Sequence, residues 1–237
     1  MISGQSFAEL CRWVHDPRYP NAPRYTLASR NGDRVFINGD YVADYVQRLP
    51  RMIFKKHTFV VHNSDEPFDQ TKLALLLPHA HHIFAANTTV THPQLTTIPL
   101  GFADRQIQWA ASYIRTVTPK DIVAYVNFLP HTNAIKRTQC LDAIRDDPRV
   151  TLRSNLTDEE YYADLCRSEF VLCPEGTGAD THRFYEALRC GATPVVLRNS
   201  LSSFYSRYPV CIVDKWTDPY IHPPSKPVEF QANAYIR

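Results

Sequence analysis

The residue types and spacing with the clearest chemical meaning lie between Gly176 and Glu186. Gly176 and Gly178 follow a short apolar stretch and precede a stretch of helical spacing that contains Arg183 and Glu186. Glycines let backbone N–H groups approach an anion closely, and the start of a helix adds partial positive charge. Arg183 falls in the first helical turn, where its guanidinium can grip a diphosphate, and Glu186 shares its helix face, where a carboxylate suits the hydroxyls of a ribose. The spacing alone leaves two interpretations: an anion-binding turn, or a packing turn followed by a surface ion pair.

Further polar residues follow the predicted strands, at the edge where open parallel sheets bind ligands. By this strand-end rule the anion site extends to Glu175, Thr177 and Asp180, and Asp180 also caps the following helix. The ends of two preceding strands add the candidates Asn127, Asn133, Arg137, Arg153, Ser154 and Asn155. The first three of these would supply donors to phosphate or sugar, and the last three would frame a nucleobase. For the neighbouring Lys136, a solvated helix face is the simpler interpretation.

Another group of candidates follows an earlier apolar strand and contains His62, Asp65 and Glu66. A carboxylate at such a strand end can act as a general base that takes the proton of a hydroxyl group. Asp65 is the first choice for this role, His62 and Glu66 are alternatives, and Asp40 at the end of another predicted strand is a further candidate. Capping of the following helix is the structural alternative for Asp65.

A group of histidines at positions 79, 81 and 82 suggests metal chemistry at first sight. No acid or cysteine nearby completes a recognisable ligand set, and the cysteines of the chain form no C-x-x-C pair. The sequence therefore predicts no metal site, and we expect no metal or organic cofactor.

Short stretches rich in β-branched and aromatic residues alternate with stretches of helical spacing, which is typical of α/β proteins with parallel sheets. The predicted strands are Arg34–Asn38, Thr58–Val61, His82–Ala86, Thr97–Leu100, Ile122–Phe128, Val150–Leu152, Glu169–Cys173, Pro194–Leu197 and Val210–Val213. The predicted helices are Asp40–Leu49, Lys72–Leu77, Asn133–Arg145, Asp158–Cys166 and Asp180–Arg189. Gly191 follows the last of these helices as a stop signal.

The alternation continues on both sides of a segment near residue 118, which predicts two domains. We expect two Rossmann-like parallel-sheet domains that face a cleft, with residues 1–118 forming the domain of the general base and of the acceptor molecule whose hydroxyl group it deprotonates. Residues 119–215 form the domain of the anion site. The proline-rich tail, residues 216–237, packs back toward the first domain in this scheme.

Composition excludes several classes of protein. The 237 residues are 44% hydrophobic and 21% charged, which is ordinary for a globular chain and argues against disorder. A net charge of +2 without a basic stripe argues against a nucleic-acid partner. No apolar run is long enough to cross a bilayer and no secretory signal is visible, so we expect a soluble, cytoplasmic protein whose cysteines are reduced.

The run from Phe170 to Leu197 resembles the C-terminal half of exostosin-type glycosyltransferases and their GT-B relatives. The matching positions are Pro174, Gly176, Arg183, Glu186, Ala187, Leu188, Gly191, Pro194, Val195 and Val196. The resemblance implies a GT-B fold and a nucleotide-sugar donor, with Arg183 on the diphosphate and Glu186 on the ribose. It also implies inverting transfer to a glycan hydroxyl without an essential metal, and a UDP-sugar such as UDP-xylose as donor. Such enzymes often carry a larger acceptor domain and a membrane anchor, and we expect neither in this chain.

Three hypotheses follow from the sequence. The leading one is an inverting glycosyltransferase that moves a sugar from a UDP-sugar to a glycan or glycoprotein. An NAD(P)-dependent oxidoreductase is an alternative because Gly176 and Gly178 follow a strand, but Thr181 replaces its third glycine and Asn199 replaces the expected acid. A non-catalytic module that binds nucleotides or sugars is the other alternative, because a fold does not fix a function.

Overall fold

The computed structural model describes residues 1–23, 29–49, 55–112, 119–224, 228 and 230–236, without the side chains of residues 109, 110 and 112. The domain boundary predicted near residue 118 lies outside the described residues. By its internal contacts the chain divides into two units. Unit 1 comprises Met1–Leu100 and Phe230–Arg237, and unit 2 comprises Gly101–Glu229.

Unit 1 is built on a parallel sheet whose strands follow one another in chain order. Its described elements are α1 (Gly4–Glu9), β1 (Trp13–His15), β2 (Arg34–Asn38), α2 (Val42–Arg48), β3 (His57–His62), α3 (Gln70–Leu76), β4 (Ala80–Ala85) and β5 (Leu95–Thr97). Short 3₁₀ turns precede α2 at Gly39–Tyr41, follow α3 at Leu77–His79, and occur at Ala232–Ala234 near the end of the chain. The sheet order is β1-β2-β3-β4-β5, and all four pairings are parallel.

The central strands β2 and β3 of unit 1 are buried on both faces, as the sequence pattern indicates for a sheet covered on both sides. Residues of one face, such as Ile37 and Val61, pack in a core with Tyr45 of α2 and Leu73 of α3. On the other face, α1 contacts β3 and the 3₁₀ turn at Ala232–Ala234. Parallel strands and helical crossovers therefore bury both sides of this sheet.

Unit 2 has the same construction with a different strand order. Its described elements are α4 (Ile107–Ser112), β6 (Ile122–Val126), α5 (Ala134–Ile144), β7 (Val150–Leu152), α6 (Asp158–Arg167), β8 (Ser168–Leu172), α7 (His182–Arg189), β9 (Thr193–Leu197), α8 (Ser202–Tyr205) and β10 (Cys211–Val213). Two 3₁₀ turns, Asp104–Gln106 and Pro130–Asn133, precede α4 and α5. The sheet order is β10-β9-β8-β6-β7, again with parallel pairings.

This order contains a topological switch point. From β6 the chain moves outward to β7 on one side, then returns to β8 on the other side of β6. The loops after β6 and β8 therefore diverge to opposite faces of the sheet, and the crevice between them is where open α/β sheets bind their ligands. Unit 1, whose described strands run in sequential order, has no such point within that sheet.

Local sequence signals account for the ends of the helices in unit 2. Thr157 and Glu160 form a capping box at the start of α6, with acids in the first turn as predicted. Gly191 follows α7 with a φ of +71°, which is the left-handed conformation that stops a helix. The predicted α/β class with Rossmann-like parallel sheets is confirmed.

Unit 1 differs from the prediction at several elements. The strand β1 and the helix α1 were not predicted, because they are too short to carry a readable period. The predicted helix from Asp40 begins as a 3₁₀ turn before α2, and the strand predicted at Thr97–Leu100 lies at Leu95–Thr97. None of the described helices has the length and the apolar character required to cross a membrane.

Candidate anion-binding site

The predicted glycine turn lies at the switch point of unit 2. The turn comprises Glu175–Gly178, after the end of β8, and it faces the loop that connects β6 to α5. Two hydrogen bonds join the two segments: Asn133 Nδ2 donates to the carbonyl oxygen of Gly176 at 2.8 Å, and the hydroxyl of Thr177 donates to the carbonyl oxygen of Thr132 at 3.3 Å. Asn133 also caps α5, because its Oδ1 accepts the Lys136 N–H at 3.2 Å. The start of α5 and the glycine turn therefore form one hydrogen-bonded structure.

Arg137 projects from the first turn of α5 onto the glycine turn. It is 7% exposed. Its Nη1 donates to the carbonyl oxygen of Leu129 at 2.8 Å, and its Nε donates to that of Glu175 at 3.2 Å. A Cβ atom built on Gly176 would lie 3.0 Å from Arg137 Nη2. A glycine at position 176 therefore makes room for a guanidinium group, which the sequence interpretation, based on backbone N–H groups, did not foresee.

Arg183, in the first turn of α7, and Arg137 both contact the ring of Phe128. The guanidinium carbons of Arg137 and Arg183 lie 5.4 and 5.8 Å from the ring centre of Phe128. Arg183 also lies 5.9 Å from the ring of Tyr161 in α6. Its Nε is buried and has no hydrogen-bond partner among the described residues. Cation–π contact therefore orients both groups without neutralising either.

The charges of this guanidinium pair, Arg137 and Arg183, are not balanced by direct ion pairs. Among the described residues, no carboxylate lies within 4.0 Å of either guanidinium. Burial, together with the positive charge of Arg183, lowers the pKa of Arg137 to about 10. Burial does not outweigh the groups that raise the pKa of Arg183, among them Tyr161 and Glu186, so the cost of the two neighbouring like charges falls on Arg137. A bound anion would relieve both the repulsion and the loss of solvation at Arg137.

Glu186 lies one turn after Arg183 on α7 and is 3% exposed. Its Oε2 accepts a hydrogen bond from the hydroxyl of Tyr161 at 2.7 Å. The side chain of Tyr161 therefore contacts both candidate residues of α7, since its ring faces Arg183 and its hydroxyl holds Glu186. No sequence signal points to Tyr161, because it comes from another helix and reaches the site only through the packing of α6 on α7.

Asp180 is buried and makes internal hydrogen bonds with both carboxylate oxygens. It accepts from the hydroxyl of Tyr185 at 2.5 Å, from that of Tyr205 at 3.1 Å and from the backbone N–H of Thr181 at 2.9 Å. Thr181, rather than Asp180, is the N-cap of α7, and its side chain makes no capping bond. Asp180 therefore ties the start of α7 to α8, which corrects the predicted role as the helix cap.

Glu175 forms the outer part of the glycine turn. Its carboxylate pairs with Lys136 of α5 and accepts a hydrogen bond from Asn199 Nδ2 at 3.0 Å. Lys136 is thus engaged at the site rather than merely solvated. Asn199 follows β9, so the strand-end rule applied to that strand would have found it.

The remaining candidates of unit 2 lie after β6 and at the end of the edge strand β7. Asn127 Nδ2 donates to the hydroxyl of Tyr125 at 3.2 Å, and Arg153 Nε lies 3.9 Å from the buried Asp164. Ser154 and Asn155 are exposed, and Asn155 adopts a φ of +56°. The described contacts bring the guanidinium pair, the glycine turn and Glu186 together, and none of them joins Arg153, Ser154 or Asn155 to that group.

The candidate bases of unit 1 differ in their access to solvent. His62 is 3% exposed; its Nδ1 accepts the backbone N–H of Asn63 at 2.7 Å, which leaves Nε2 to donate to the Pro99 carbonyl oxygen at 3.2 Å. Asp65 and Glu66 are exposed at the end of β3. Asp40 accepts a hydrogen bond from the hydroxyl of Ser64. His62 is therefore engaged through both ring nitrogens, whereas the two acids are accessible.

The histidines at positions 79, 81 and 82 belong to no cluster of metal ligands among the described residues. Within the described residues, no three histidine, cysteine or acidic side chains are grouped so that they could hold a metal ion. Of the histidines considered above, His82 Nε2 is hydrogen-bonded to the Thr96 hydroxyl at 2.8 Å. Burial lowers the pKa of both His79 and His82.

Comparison with known proteins gives one positive result. A family model described as the RXYLT1 C-terminal domain matches residues 103–221, which is half of the chain. The matched segment contains every candidate residue of the anion site and none of the candidate bases of unit 1. A search of curated proteins found no match.

Proposed function

Because the chain belongs to the RXYLT1 C-terminal domain family, a family of exostosin-like glycosyltransferases, we propose that it transfers a sugar from a nucleotide-sugar donor to a glycan hydroxyl. The observation that carries the proposal is the guanidinium pair. Arg137 and Arg183 share the ring of Phe128, are not balanced by a described ion pair, and lie beside a glycine turn at the switch point of the sheet. A diphosphate is the anion whose charge matches two neighbouring guanidinium groups.

The same residues explain how the chemistry would proceed. As the bond between the sugar and the diphosphate breaks, negative charge grows on the departing phosphate. Fixed positive groups, here Arg137, Arg183 and the N-terminus of α7, stabilise that charge with little reorganisation, because hydrogen bonds and ring contacts already hold the guanidinium groups. In this proposal they take the part that a divalent cation plays in other enzymes. Glu186 binds the ribose hydroxyls through the carboxylate oxygen that Tyr161 does not hold.

The family and the resemblance together favour a UDP-sugar, and UDP-xylose is the first donor to test because the family is xylosyltransferase-like. For the acceptor hydroxyl, we propose Asp65 as the general base, with Glu66 as the alternative. Both carboxylates are exposed, while His62 would have to give up a hydrogen bond before it could accept a proton. Attack by the activated hydroxyl on the face opposite the diphosphate gives an inverted product.

The binding part of the proposal is tested with UDP and UDP-xylose, and with NAD and ATP as competing classes. Thermal unfolding and calorimetry of the full chain should show stabilisation by the uridine ligands only, because a ligand that binds the folded state raises its stability. Arg183→Met should weaken UDP binding by at least about tenfold, since a charge-assisted hydrogen bond contributes ~1.5–3 kcal/mol.

Arg189→Met is the matched control, because Arg189 lies in the last turn of the same helix and outside the guanidinium pair. It should leave UDP affinity unchanged. Equal affinity of Arg183→Met and the wild type would overturn the anion site. Asp65→Asn separates an enzyme from a binding module: an enzyme keeps UDP binding and loses sugar transfer, whereas a binding module shows no transfer in either form.

A further inference from the structure

Two buried cysteines outside the anion site are held next to each other by one lysine. Cys166 lies in the last turn of α6 and Cys190 follows the last turn of α7, and both side chains are buried as free thiols. The ammonium group of Lys120 donates to the carbonyl oxygen of Cys166 at 2.7 Å and to that of Cys190 at 3.2 Å. The carbonyl oxygens of both cysteines therefore lie within hydrogen-bond distance of the same nitrogen atom, which makes the two residues neighbours.

The thiols are also chemically unequal. A hydrogen bond from the Cys190 thiol lowers the pKa of Cys166; burial opposes this shift, and the charge of Lys120 assists it. The same contact raises the pKa of Cys190. A sulfur that is partly thiolate beside a protonated partner is the arrangement of a nucleophilic and a resolving cysteine.

The other cysteines lack this arrangement. Burial raises the pKa of Cys11 and of Cys140 to about 12, and it also raises the pKa of Cys173 and Cys211. Since the thiolate is the form that reacts with oxidants, Cys166 should react first among the six cysteines of the chain.

We propose that Cys166 and Cys190 are a redox-sensitive pair that forms a reversible disulfide on exposure to hydrogen peroxide. The Cys166 thiolate attacks one peroxide oxygen, the O–O bond breaks, and hydroxide leaves and becomes water by taking up a proton. The resulting sulfenic acid is attacked by the sulfur of Cys190, which loses its proton. The S–S bond forms, the S–O bond breaks and a second water leaves. The two sulfurs together lose two electrons and the peroxide gains them.

The bridge would join two helices that form the anion site. α6 carries Tyr161, and α7 carries Arg183 and Glu186. A bridge between Cys166 and Cys190 closes a loop that contains the whole glycine turn, Glu175–Gly178. A disulfide restricts the unfolded chain within its loop, and a small oxidant suits thiols buried at 5% and 4% exposure. The inference does not depend on the proposed function, because it concerns the state of two sulfur atoms.

The test uses the full chain in its reduced form. The protein is treated with hydrogen peroxide, the excess is destroyed with catalase, and the remaining thiols are alkylated in denaturant. Before alkylation the protein should weigh two hydrogen atoms less than the reduced chain, and after alkylation four of its six cysteines should carry the label. A Cys166–Cys190 cross-linked peptide should appear, and these changes should reverse on treatment with dithiothreitol. At early times the fraction of Cys166 that can still be alkylated should fall faster than that of Cys140, because the pKa of Cys166 is lowered and that of Cys140 is raised.

Cys166→Ser and Cys190→Ser should each abolish the cross-link, and Cys11→Ser, the matched control outside the pair, should leave it intact. The peptide map of the wild-type chain decides the matter even if a serine variant does not fold. Oxidation that stops at sulfinic acid on Cys166, a bridge to another cysteine, or full alkylation of both residues after peroxide would each overturn the proposal.

Discussion

Replacement of Gly176 by alanine separates the fold from the anion site. Gly176 does not adopt the left-handed conformation, so an alanine fits its backbone. The new methyl group would meet one described neighbour, the guanidinium of Arg137, at 3.0 Å from Nη2 and 3.9 Å from Cζ. Because 3.0 Å is too close, the guanidinium must shift by a few tenths of an ångström away from the turn. This shift strains its contacts with two carbonyl oxygens and with the Phe128 ring.

The size of the effect follows from these contacts. Loss of one well-aligned, charge-assisted hydrogen bond to a phosphate costs ~1.5–3 kcal/mol, which is a ~10- to 150-fold loss of UDP affinity. Stability should change by less than ~1 kcal/mol. The gain from a less flexible unfolded chain, ~0.4–1 kcal/mol, offsets the weakened hydrogen bonds of Arg137.

The assay is calorimetric titration with UDP combined with urea unfolding. Gly191→Ala is the matched control, because position 191 offers free space but has a φ of +71°. It should lose ~1–2 kcal/mol of stability and keep its UDP affinity, which is the opposite result to that of Gly176→Ala. If Gly176→Ala bound UDP as tightly as the wild type, Arg137 would not contact the ligand and the reasoning on the guanidinium pair would be refuted.

Three further predictions concern stability. Tyr161→Phe leaves the buried Oε2 of Glu186 without its donor, and the free energy of unfolding in urea should fall by ~1–3 kcal/mol; no change would mean that the carboxylate finds water instead. Asp180→Asn replaces a carboxylate that accepts from two tyrosine hydroxyls, and a loss of ~2–3 kcal/mol in the same assay is expected, whereas a loss below ~0.5 kcal/mol would contradict its role between α7 and α8. Burial lowers the pKa of His57 below its ordinary value of 6.5, so the folded chain binds fewer protons than the unfolded chain. This contribution to stability is present above pH 6.5 and is lost as the pH falls; the urea midpoint should drop between pH 7 and 5.5, and it should drop less in His57→Gln.

The sequence alone determined the fold class and the centre of the candidate site. Strands such as Ile122–Val126 and Thr193–Leu197 show as short apolar runs because parallel strands are buried on both faces. Arg183 and Gly191 were readable because the start and the end of a helix depend on residues within one turn. Signals of this kind are local, and a single stretch of chain contains them completely.

The tertiary structure decided which distant residues complete the site. Arg137 reaches Gly176, Tyr161 holds Glu186, and Lys120 joins two cysteines, each across tens of positions in the chain. Asp180 is a residue for which the local signals were misleading. Its position after a strand and before a helix predicted a site residue and a helix cap, whereas in the structure its carboxylate accepts hydrogen bonds from Tyr185 and Tyr205. The order of strands in a parallel sheet sets these meetings, because it determines which loops share an edge. That order depends on the packing of the whole chain and is not contained in any local pattern.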